Sequence, residues 1–186
     1  MEASSGAAQG GGNLGQSNPS IRPEHVGAAV SKLVSASIGD IAVVFSRSPR
    51  HKHYSLADIE WLIVPAVVTG QAYIAELQHK EHGGRAPVAA VLWASVSDEV
   101  DQRLSANAGA KIRLKPEEWK SGEHLWIVDV AGDPRAIADA LARLASTDLK
   151  HSSAKLVMPD ARGKQNVEEL HALLASAATE NSPRVR

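Results

Sequence analysis

Two residues of this 186-residue chain have the side chains and the setting for acid–base chemistry. His51 follows a Ser-Pro turn beside an apolar segment, and a histidine that is neutral near pH 7 is a natural general base. Asp129 ends a strongly apolar run, where strict strand alternation places it on the same face as Leu125 and Ile127. A carboxylate in line with apolar side chains is costly to bury unless it is paired. A histidine could be that partner, because a carboxylate orients the ring and stabilises its charged form.

Each of these residues also has a plainer interpretation. A histidine in a loop is more often a solvated surface residue than a base. The strand could simply end at the surface at Asp129, and the pattern alone slightly favours this reading. Considered one at a time, neither residue identifies a catalytic site.

Histidines also occur in two closely spaced pairs, His51-x-His53 and His79-x-x-His82. Imidazoles at such spacing can converge on a metal ion, but neither pair has partner ligands at a recognisable spacing. The chain has no cysteine, which excludes disulfides, thiolate catalysis and zinc–cysteine sites. We therefore expect no metal site and no bound cofactor.

The overall composition is that of one globular domain, with 44% hydrophobic and 22% charged residues. A net charge of −1 gives no sign of a general affinity for nucleic-acid phosphates. No uninterrupted apolar run reaches about 18 residues, so no membrane span is expected. The Gly/Ser-rich N-terminus lacks the basic start and apolar centre of a signal peptide. These features predict a cytoplasmic protein.

Composition divides the chain into a disordered tail at residues 1–19, one domain at 20–178 and a flexible tail at 179–186. Three consecutive glycines at residues 10–12 offer nothing to bury in a core. Within the domain, Pro23 suits the first position of a helix, and Gly39 is a plausible end. The predicted inward stripe of this helix consists of Val26, Val30, Leu33 and Val34. Residues 41–45 then form an apolar, strand-like segment before the loop of His51.

A second helix is expected after His51. Ser55 and Asp58 form a capping-box pattern at its start, Pro65 should kink or divide it, and Gly70 ends it. Its predicted inward side chains are Leu56, Ile59, Leu62 and Ile63.

Alternating patterns in the rest of the chain predict strands at residues 72–77, 87–96, 123–131 and 155–158, with a short one at 111–114. An exposed loop at 79–86 joins the first two. Helices are expected at 97–106, from Asp133-Pro134 with Ile137, Leu141 and Leu144 on one face, and from Asn166 to Leu174. Short loops between adjacent strands indicate antiparallel pairing. The predicted fold class is α/β (α+β), a mixed and mostly antiparallel sheet flanked by helices.

Four segments, in one order over roughly residues 38–165, resemble the RTX-toxin-activating lysine acyltransferases. Residues 38–51 (IGDIAVVFSRSPRH) are similar to the family's N-terminal motif, which is an apolar run, a small polar pair, Ser-Pro, any residue and then a histidine. The match continues through Tyr54, Leu62, residues 64–66 and Gln71. The second block comprises residues 87–89, Trp93-Ala94, Ser97 and Glu99. Residues 118–129 (EWKSGEHLWIVD) form the most specific block, and residues 159–164 resemble a basic C-terminal segment more loosely.

The chain departs from the family's pattern at several points. Residues 130–134 (VAGDP) are shorter than the usual Ala-Pro-Phe-Gly-like segment, Lys52 stands where arginine is common, and Phe45 where tryptophan is common. The N-terminal extension is additional. These departures keep His51 and Asp129.

The resemblance implies a fold related to the GCN5-type N-acetyltransferases and a tendency to form homodimers. It also implies transfer of a fatty acyl chain from acyl carrier protein, the co-substrate, to internal lysines of an RTX-type protoxin. His51 and Asp129 correspond to the family's catalytic pair. Candidates for binding substrate or carrier are Ser48, Arg50, Lys52, Trp93 and Trp126. Arg47, Arg113 and Lys115 join Arg50 and Lys52 as candidates for steering the acidic carrier, although each is as readily an ordinary surface charge.

In the mechanism we expect, His51 takes a proton from the lysine amine, either directly or through water. The solution pKa of that amine is about 10.4. A covalent route through an acylated His51 is the alternative. Two rival functions remain: a non-catalytic binding or chaperone-like homologue, and an acyl-CoA-dependent N-acyltransferase. The second would need a Gln/Arg-x-x-Gly-x-Gly/Ala loop, which the sequence lacks. A metal-dependent hydrolase built on the histidine pairs is more remote.

Overall fold

The computed structural model describes residues 23–78, 83–149 and 153–180, and the tail predicted at residues 1–19 lies outside them. The helices are α1 (Pro23–Arg47), α2 (Leu56–Asp58), α3 (Val64–Val68), α4 (Asp98–Ala106), α5 (Pro134–Ser146) and α6 (Leu170–Glu180). The strands are β1 (Ala72–Gln78), β2 (Arg85–Val96), β3 (His124–Gly132), β4 (Lys155–Pro159) and β5 (Gln165–Glu169). Helix α6 extends past residue 178, where the sequence predicts the domain to end.

The strands form one sheet in the order β1-β2-β3-β4-β5. β1 with β2, β2 with β3, and β4 with β5 pair antiparallel, whereas β3 and β4 are parallel. The parallel pair follows from the crossover through α5, since parallel neighbours need a long connection. The predicted mixed, mostly antiparallel sheet flanked by helices is confirmed.

Each face of the sheet carries its own apolar cluster. The first cluster packs the second half of α1, the segment around Leu62 and Ile63, and α4 against side chains such as Leu92 and Trp126. The second cluster packs α5 and Leu170, at the start of α6, against Val91, Trp93 and Ile127. Alternation along β2 explains the division, because Val91 and Trp93 point to one face and Leu92 to the other.

Helix α1 differs from its prediction. It continues through Gly39 and through residues 41–45 as one 25-residue helix, so the predicted stop and the strand-like segment are wrong. Ile41, Val44 and Phe45 recur at helical spacing and are buried, and this tertiary burial outweighs the strand preference of the β-branched residues among them.

The predicted inward stripe of α1 is also wrong at Val30 and Leu33, whereas Val34 is half-buried. Val30 is 53% exposed and Leu33 is 68% exposed, whereas the buried face of the helix begins near Ile41. The first half of α1 therefore presents an apolar stripe to the solvent.

Segment Gly27–Arg47 of α1 is long and apolar enough to cross a membrane, judged by length and composition alone. Lys32 and Asp40 interrupt its apolar run. Core helices of soluble proteins meet the same criterion, and Ile41, Val44 and Phe45 here pack inside the first cluster. The expected absence of a membrane span stays a prediction.

The helix after His51 is divided, as Pro65 predicts. A π-helical turn, Ile59–Ile63, lies immediately before the short helix α3 that contains Pro65. At the start of α2, the Asp58 carboxylate accepts hydrogen bonds from the Ser55 backbone N–H at 2.8 Å and from the Ser55 hydroxyl at 2.9 Å. Leu62 and Ile63 are buried as predicted, but Leu56 is 83% exposed, because it lies in the first turn before the helix meets the core.

Two further local predictions fail. Residues 111–114 have no regular structure. The segment from Asn166 begins as strand β5, and the helix starts only at Leu170. The reason is a turn in which the Asp160 carboxylate accepts the backbone N–H groups of Arg162 and Lys164, so that the chain returns and pairs with β4. The other predicted strands and the helices α4 and α5 are confirmed to within a few residues.

Candidate active site

His51 sits in a tight turn that follows directly on α1. The backbone N–H groups of His51 and Lys52 both donate to the Ser48 carbonyl, at 3.0 and 2.9 Å. The Tyr54 N–H donates in turn to the His51 carbonyl at 2.8 Å. These bonds turn the imidazole towards the sheet, where the His51 side chain is only 1% exposed. His51 is therefore a buried residue and not a solvated loop histidine.

Asp129 reaches the same place because β3 contains a bulge. Leu92 pairs with Asp129 and Trp93 pairs with Ile127, which leaves Val128 as the extra residue on β3. The bulge reverses the alternation, so Asp129 shares a face with Leu92 and Trp126, not with Leu125 and Ile127 as the sequence predicts. Its side chain is 6% exposed and points to the side of the sheet on which α1 packs.

The two side chains are hydrogen-bonded. His51 Nε2 lies 3.0 Å from Asp129 Oδ1, and His51 Nδ1 lies 2.8 Å from Ser48 Oγ. An ionised carboxylate can only accept, so this pairing places the ring proton on Nε2 and leaves Nδ1 to accept from the Ser48 hydroxyl. A hydroxyl, an imidazole and a carboxylate thus form one chain of hydrogen bonds.

Two more donors hold the Asp129 carboxylate. The Val130 backbone N–H donates to Oδ1 at 2.9 Å, and the Tyr54 hydroxyl donates to Oδ2 at 3.3 Å. Burial, followed by the charge and the hydrogen bond of Asp129, raises the pKa of Tyr54 to about 12. Tyr54 is therefore a neutral donor over the whole physiological pH range.

Aromatic rings pack against the imidazole, and a cavity lies beside them. The His51 ring lies 4.5 Å from the Phe45 ring and 5.1 Å from the Tyr54 ring, centroid to centroid. Beside them is a cavity of about 370 Å³, which we call the apolar cavity and whose walls include Phe45, Ile59 and Ile63. A buried base next to an apolar cavity of this size can activate a nucleophile against a ligand with a hydrocarbon chain.

The structure places the other candidates from the sequence at different distances from His51. Ser48 is in the hydrogen-bond chain. Arg50 and Lys52 are exposed near it, and Lys52 lines the apolar cavity. Trp93 belongs to the second cluster, on the opposite face of the sheet, because alternation in β2 points it away from His51.

Trp126 lies on the same face as Asp129 but is hydrogen-bonded within a different polar pair, Asp101 and Lys155. Its indole N–H donates to the Asp101 carboxylate at 2.8 Å, and Lys155 Nζ binds the same carboxylate at 2.8 Å. Burial would raise the pKa of Asp101, but the bonds from Lys155 and Trp126 hold it below its ordinary value. This network joins α4 to β3 and β4, apart from the hydrogen bonds of His51.

Sequence reasoning missed two residues of the site. Tyr54 entered only as part of the resemblance, although its position three residues after His51 in a turn is a local signal. Lys111 has no such signal, since it comes from the irregular segment before Leu114. Its ammonium nitrogen lies 4.2 Å from the centre of the Tyr54 ring, and the Arg113 guanidinium lies 5.5 Å from the Trp61 ring.

The histidine pairs do not form a metal centre within the described parts of the chain, where no group of three or more possible ligands comes together. His53 is exposed, and both ring nitrogens of His51 already bind protein atoms. His79 and His82 lie outside the described residues. The expectation of no metal and no bound cofactor stays a prediction.

Comparisons with known proteins match most of this chain. A family model described as "HlyC: RTX toxin acyltransferase family" matches residues 31–171. The lysine-acyltransferase RtxC of Vibrio cholerae is 30% identical over 115 residues, which cover 59% of this chain and 69% of that protein. The leukotoxin-activating lysine-acyltransferase LktC of a Pasteurella haemolytica-like species is 28% identical, and the RTX-II toxin-activating lysine-acyltransferase ApxIIC of Actinobacillus pleuropneumoniae is 26% identical. The last two alignments each cover 50% of this chain, and 50% and 52% of the respective relatives.

Proposed function

The chain belongs to the RTX toxin acyltransferase family and is an acyltransferase, and from this premise we propose that it acylates internal lysines of an RTX-type protoxin. The proposed donor is acyl carrier protein loaded with a fatty acyl chain. The observation that carries the proposal is the buried His51–Asp129 pair, at 3.0 Å, beside the apolar cavity.

In the proposed reaction, the lysine nitrogen attacks the thioester carbonyl of the donor while His51 accepts the amine proton. Asp129 stabilises the resulting imidazolium through Nε2 and keeps the ring from rotating. Tyr54 and the Val130 N–H hold the carboxylate in place. The acyl chain occupies the apolar cavity, whose wall of Phe45, Ile59 and Ile63 matches a hydrocarbon.

A direct test compares wild type with His51→Ala and Asp129→Asn. A labelled acyl group on acyl carrier protein is offered to a lysine-bearing protoxin fragment, and label on lysine is measured by mass spectrometry. Because general-base catalysis contributes about 100- to 10,000-fold, both variants should lose activity on that scale while their melting curves remain cooperative.

The outcomes separate the rival functions. Undiminished transfer by His51→Ala would remove His51 as the base. Transfer from acyl-CoA but not from the carrier would favour an acyl-CoA-dependent N-acyltransferase. Tight binding of the fragment without transfer by wild type would favour a binding or chaperone-like homologue.

We also propose that the exposed cations near the site guide the carrier, which is acidic. Arg50 and Lys52 lie in the turn of His51, and Arg113 lies on the Trp61 ring. Charge attraction of this kind speeds association and weakens with salt. Replacing Arg50 and Lys52 with glutamine should raise KM for the carrier and flatten its salt dependence, whereas Lys164→Gln, in the distant β4–β5 turn, serves as a matched control.

Two broader features complete the proposal. The reaction is proposed to take place in the cytoplasm, which suits a chain without cysteines. A homodimer is also proposed. The exposed apolar stripe of Val30 and Leu33 on α1 is a candidate contact surface for it.

A further inference from the structure

A second cavity, of about 280 Å³, lies against the turn of His51. Its deeper wall includes Val44, which is buried, and Ser48, which is half-buried. Pro87 and Val88 form a half-buried side wall. Arg47, Pro49 and Asp133 are exposed and form the rim. We call it the rim cavity.

The two cavities meet at one hydrogen bond. His51 lines the apolar cavity but not the rim cavity, and Ser48 lines the rim cavity but not the apolar one. The bond between Ser48 Oγ and His51 Nδ1, at 2.8 Å, therefore runs from one to the other. A transferase that binds donor and acceptor together can admit them through two cavities that converge on one base, and the two cavities here fit that arrangement.

The arrangement of Ser48 also limits how a proton can reach the base. His51 is buried, Nε2 is occupied by Asp129, and Nδ1 is occupied by the Ser48 hydroxyl. An amine in the rim cavity can reach this base through Ser48 without breaking either bond. A hydroxyl both donates and accepts, so it can pass a proton on.

The rim carries a carboxylate placed by a close approach of two strands. Gly132 has φ +117°, and a Cβ there would stand 2.1 Å from the Val88 carbonyl oxygen. The Asp133 N–H donates to that oxygen at 2.9 Å, which fixes Asp133 beside Val88. The Asp133 carboxylate accepts from the N–H groups of Arg135 and Ala136 and caps α5, so its position is set by the backbone.

We propose that the rim cavity binds the acceptor lysine, with Asp133 attracting its ammonium group and Ser48 relaying a proton from the amine to His51. This inference rests on the function proposed above. The walls of Val44, Pro87 and Val88 suit the four-carbon stem of a lysine, and the larger cavity is left to the acyl chain.

The proton transfers balance. The ammonium first loses one proton to solvent, and the neutral nitrogen then attacks the thioester carbon. The C–N bond forms and the C–S bond breaks. One amine proton moves to Ser48 Oγ as the Ser48 proton moves to His51 Nδ1, and the imidazolium then protonates the departing thiolate.

Arg47 shares the rim and would favour an anion, such as the phosphodiester of the carrier's prosthetic arm, if it dominated the local field. The charge preference of the cavity therefore decides between the two occupants, and it can be measured without a substrate. Because the chain has no cysteine, Val88→Cys creates a single thiol in the rim cavity, and Ile59→Cys creates one in the apolar cavity as a matched control.

The two single-thiol proteins are reacted with a cationic and an anionic methanethiosulfonate of similar size, and each rate is divided by that for free 2-mercaptoethanol. The cation-to-anion ratio should be about fivefold higher for Val88→Cys than for Ile59→Cys. It should fall to the control value when Asp133→Asn is added, since asparagine keeps the helix cap and removes the charge. A preference for the anion, or a ratio that Asp133→Asn leaves unchanged, would overturn the assignment.

A second arm uses the transfer assay. Asp133→Asn should raise KM for the lysine acceptor severalfold without changing KM for the acyl donor. Ser48→Ala should lower kcat by about 10- to 100-fold, and Ser48→Thr, which keeps the hydroxyl, should restore most of it. Wild-type rates in Ser48→Ala would overturn the relay while the proposed function stands. An inactive wild type would instead remove the proposed function, and the acceptor assignment with it.

Discussion

At the scale of single residues, the site depends on a buried carboxylate, and burying its charge without hydrogen-bond donors would destabilise the folded protein. Asp129 is buried, and three protein donors satisfy it: His51, Tyr54 and the Val130 N–H. Removing one donor leaves the desolvation cost of the carboxylate in place. Sequence reasoning could name His51 and Asp129 as candidates from their residue types. It could name Tyr54 only as part of the family motif, because the contact of Tyr54 with Asp129 depends on the turn and the bulge meeting in space.

The hydroxyl of Tyr54 gives a stability prediction with a defined sign. Its pKa is raised to about 12 in the folded protein from an ordinary value of 10.0, so folding favours the neutral form. The resulting stability is fully present below pH 10 and is lost as the pH rises through about 12. Between these values, wild type should lose more free energy of unfolding than Tyr54→Phe, measured by urea denaturation at each pH.

The matched control is Tyr73→Phe, which removes the other tyrosine hydroxyl of the chain. The pH-dependent change in the difference between wild type and Tyr54→Phe is measured against the difference between wild type and Tyr73→Phe at the same pH. Parallel curves for wild type and Tyr54→Phe would show that the hydroxyl does not lie against the carboxylate as described.

At the scale of elements, the bulge in β3 and the glycine that ends this strand decide where the functional groups point. Val128 is the extra residue of the bulge, and because of it the Asp129 side chain points to the face of the sheet on which α1 packs. Gly132 then allows the chain to pass against Val88 before α5 begins. A bulge re-aims every side chain beyond it, because strand alternation has a period of two.

Gly132→Ala tests this part of the strand. An alanine must adopt φ +117°, and its Cβ would meet backbone atoms of Val88 and Ala89 that cannot rotate away. Backbone strain of this kind costs about 1–3 kcal/mol before the clash is added, so the free energy of unfolding should fall by at least about 2 kcal/mol. Acyl transfer should fall as well, since Asp129 and Asp133 flank this position.

Gly39→Ala is the control. Gly39 lies inside α1, and a Cβ there meets nothing within 4 Å. Alanine in an exposed helix position should stabilise the protein by up to about 1 kcal/mol. Equal stabilities for the two variants in urea denaturation would contradict the close approach of Gly132 to Val88.

At the scale of the whole molecule, α1 has two different halves. Its second half is part of the first apolar cluster and delivers the turn of His51, whereas its first half exposes Val30 and Leu33. Helix stability in proteins comes mainly from the packing of an apolar face. The first half has such a face without a described partner in this chain, which is the physical basis for proposing a homodimer there.

Leu33→Lys tests the proposed dimer. Leu33 is 68% exposed, so the substitution should leave the monomer's fold intact but place a charge in the contact surface. We expect wild type to show a dimer by light scattering after size-exclusion chromatography, and Leu33→Lys to weaken it at least tenfold. Ser31→Lys, an exposed position on the same helix, should have little effect. A monomeric wild type at all concentrations would remove the dimer from the proposal.

The sequence alone determined much of the order of elements and the chemistry of the site. Periodicity located β1 to β4, α4 and α5, because burial on one face leaves a local signature in residue types. Pro65 and Gly70 marked where the helix after His51 divides and ends. The motifs around His51 and Asp129 were specific enough to identify the family, since they combine residue type with fixed spacing.

Only the tertiary structure decided which residues share a face and which segments are helical or extended where the local pattern is ambiguous. The bulge at Val128 points Asp129 towards His51. Burial in the core makes residues 41–45 part of helix α1, and pairing with β4 makes Gln165–Glu169 a strand. Alternation likewise placed Trp93 on the far side of the sheet. For Asp129 and for residues 41–45, the deciding energy is burial or pairing with residues distant in the chain, which a local pattern does not contain.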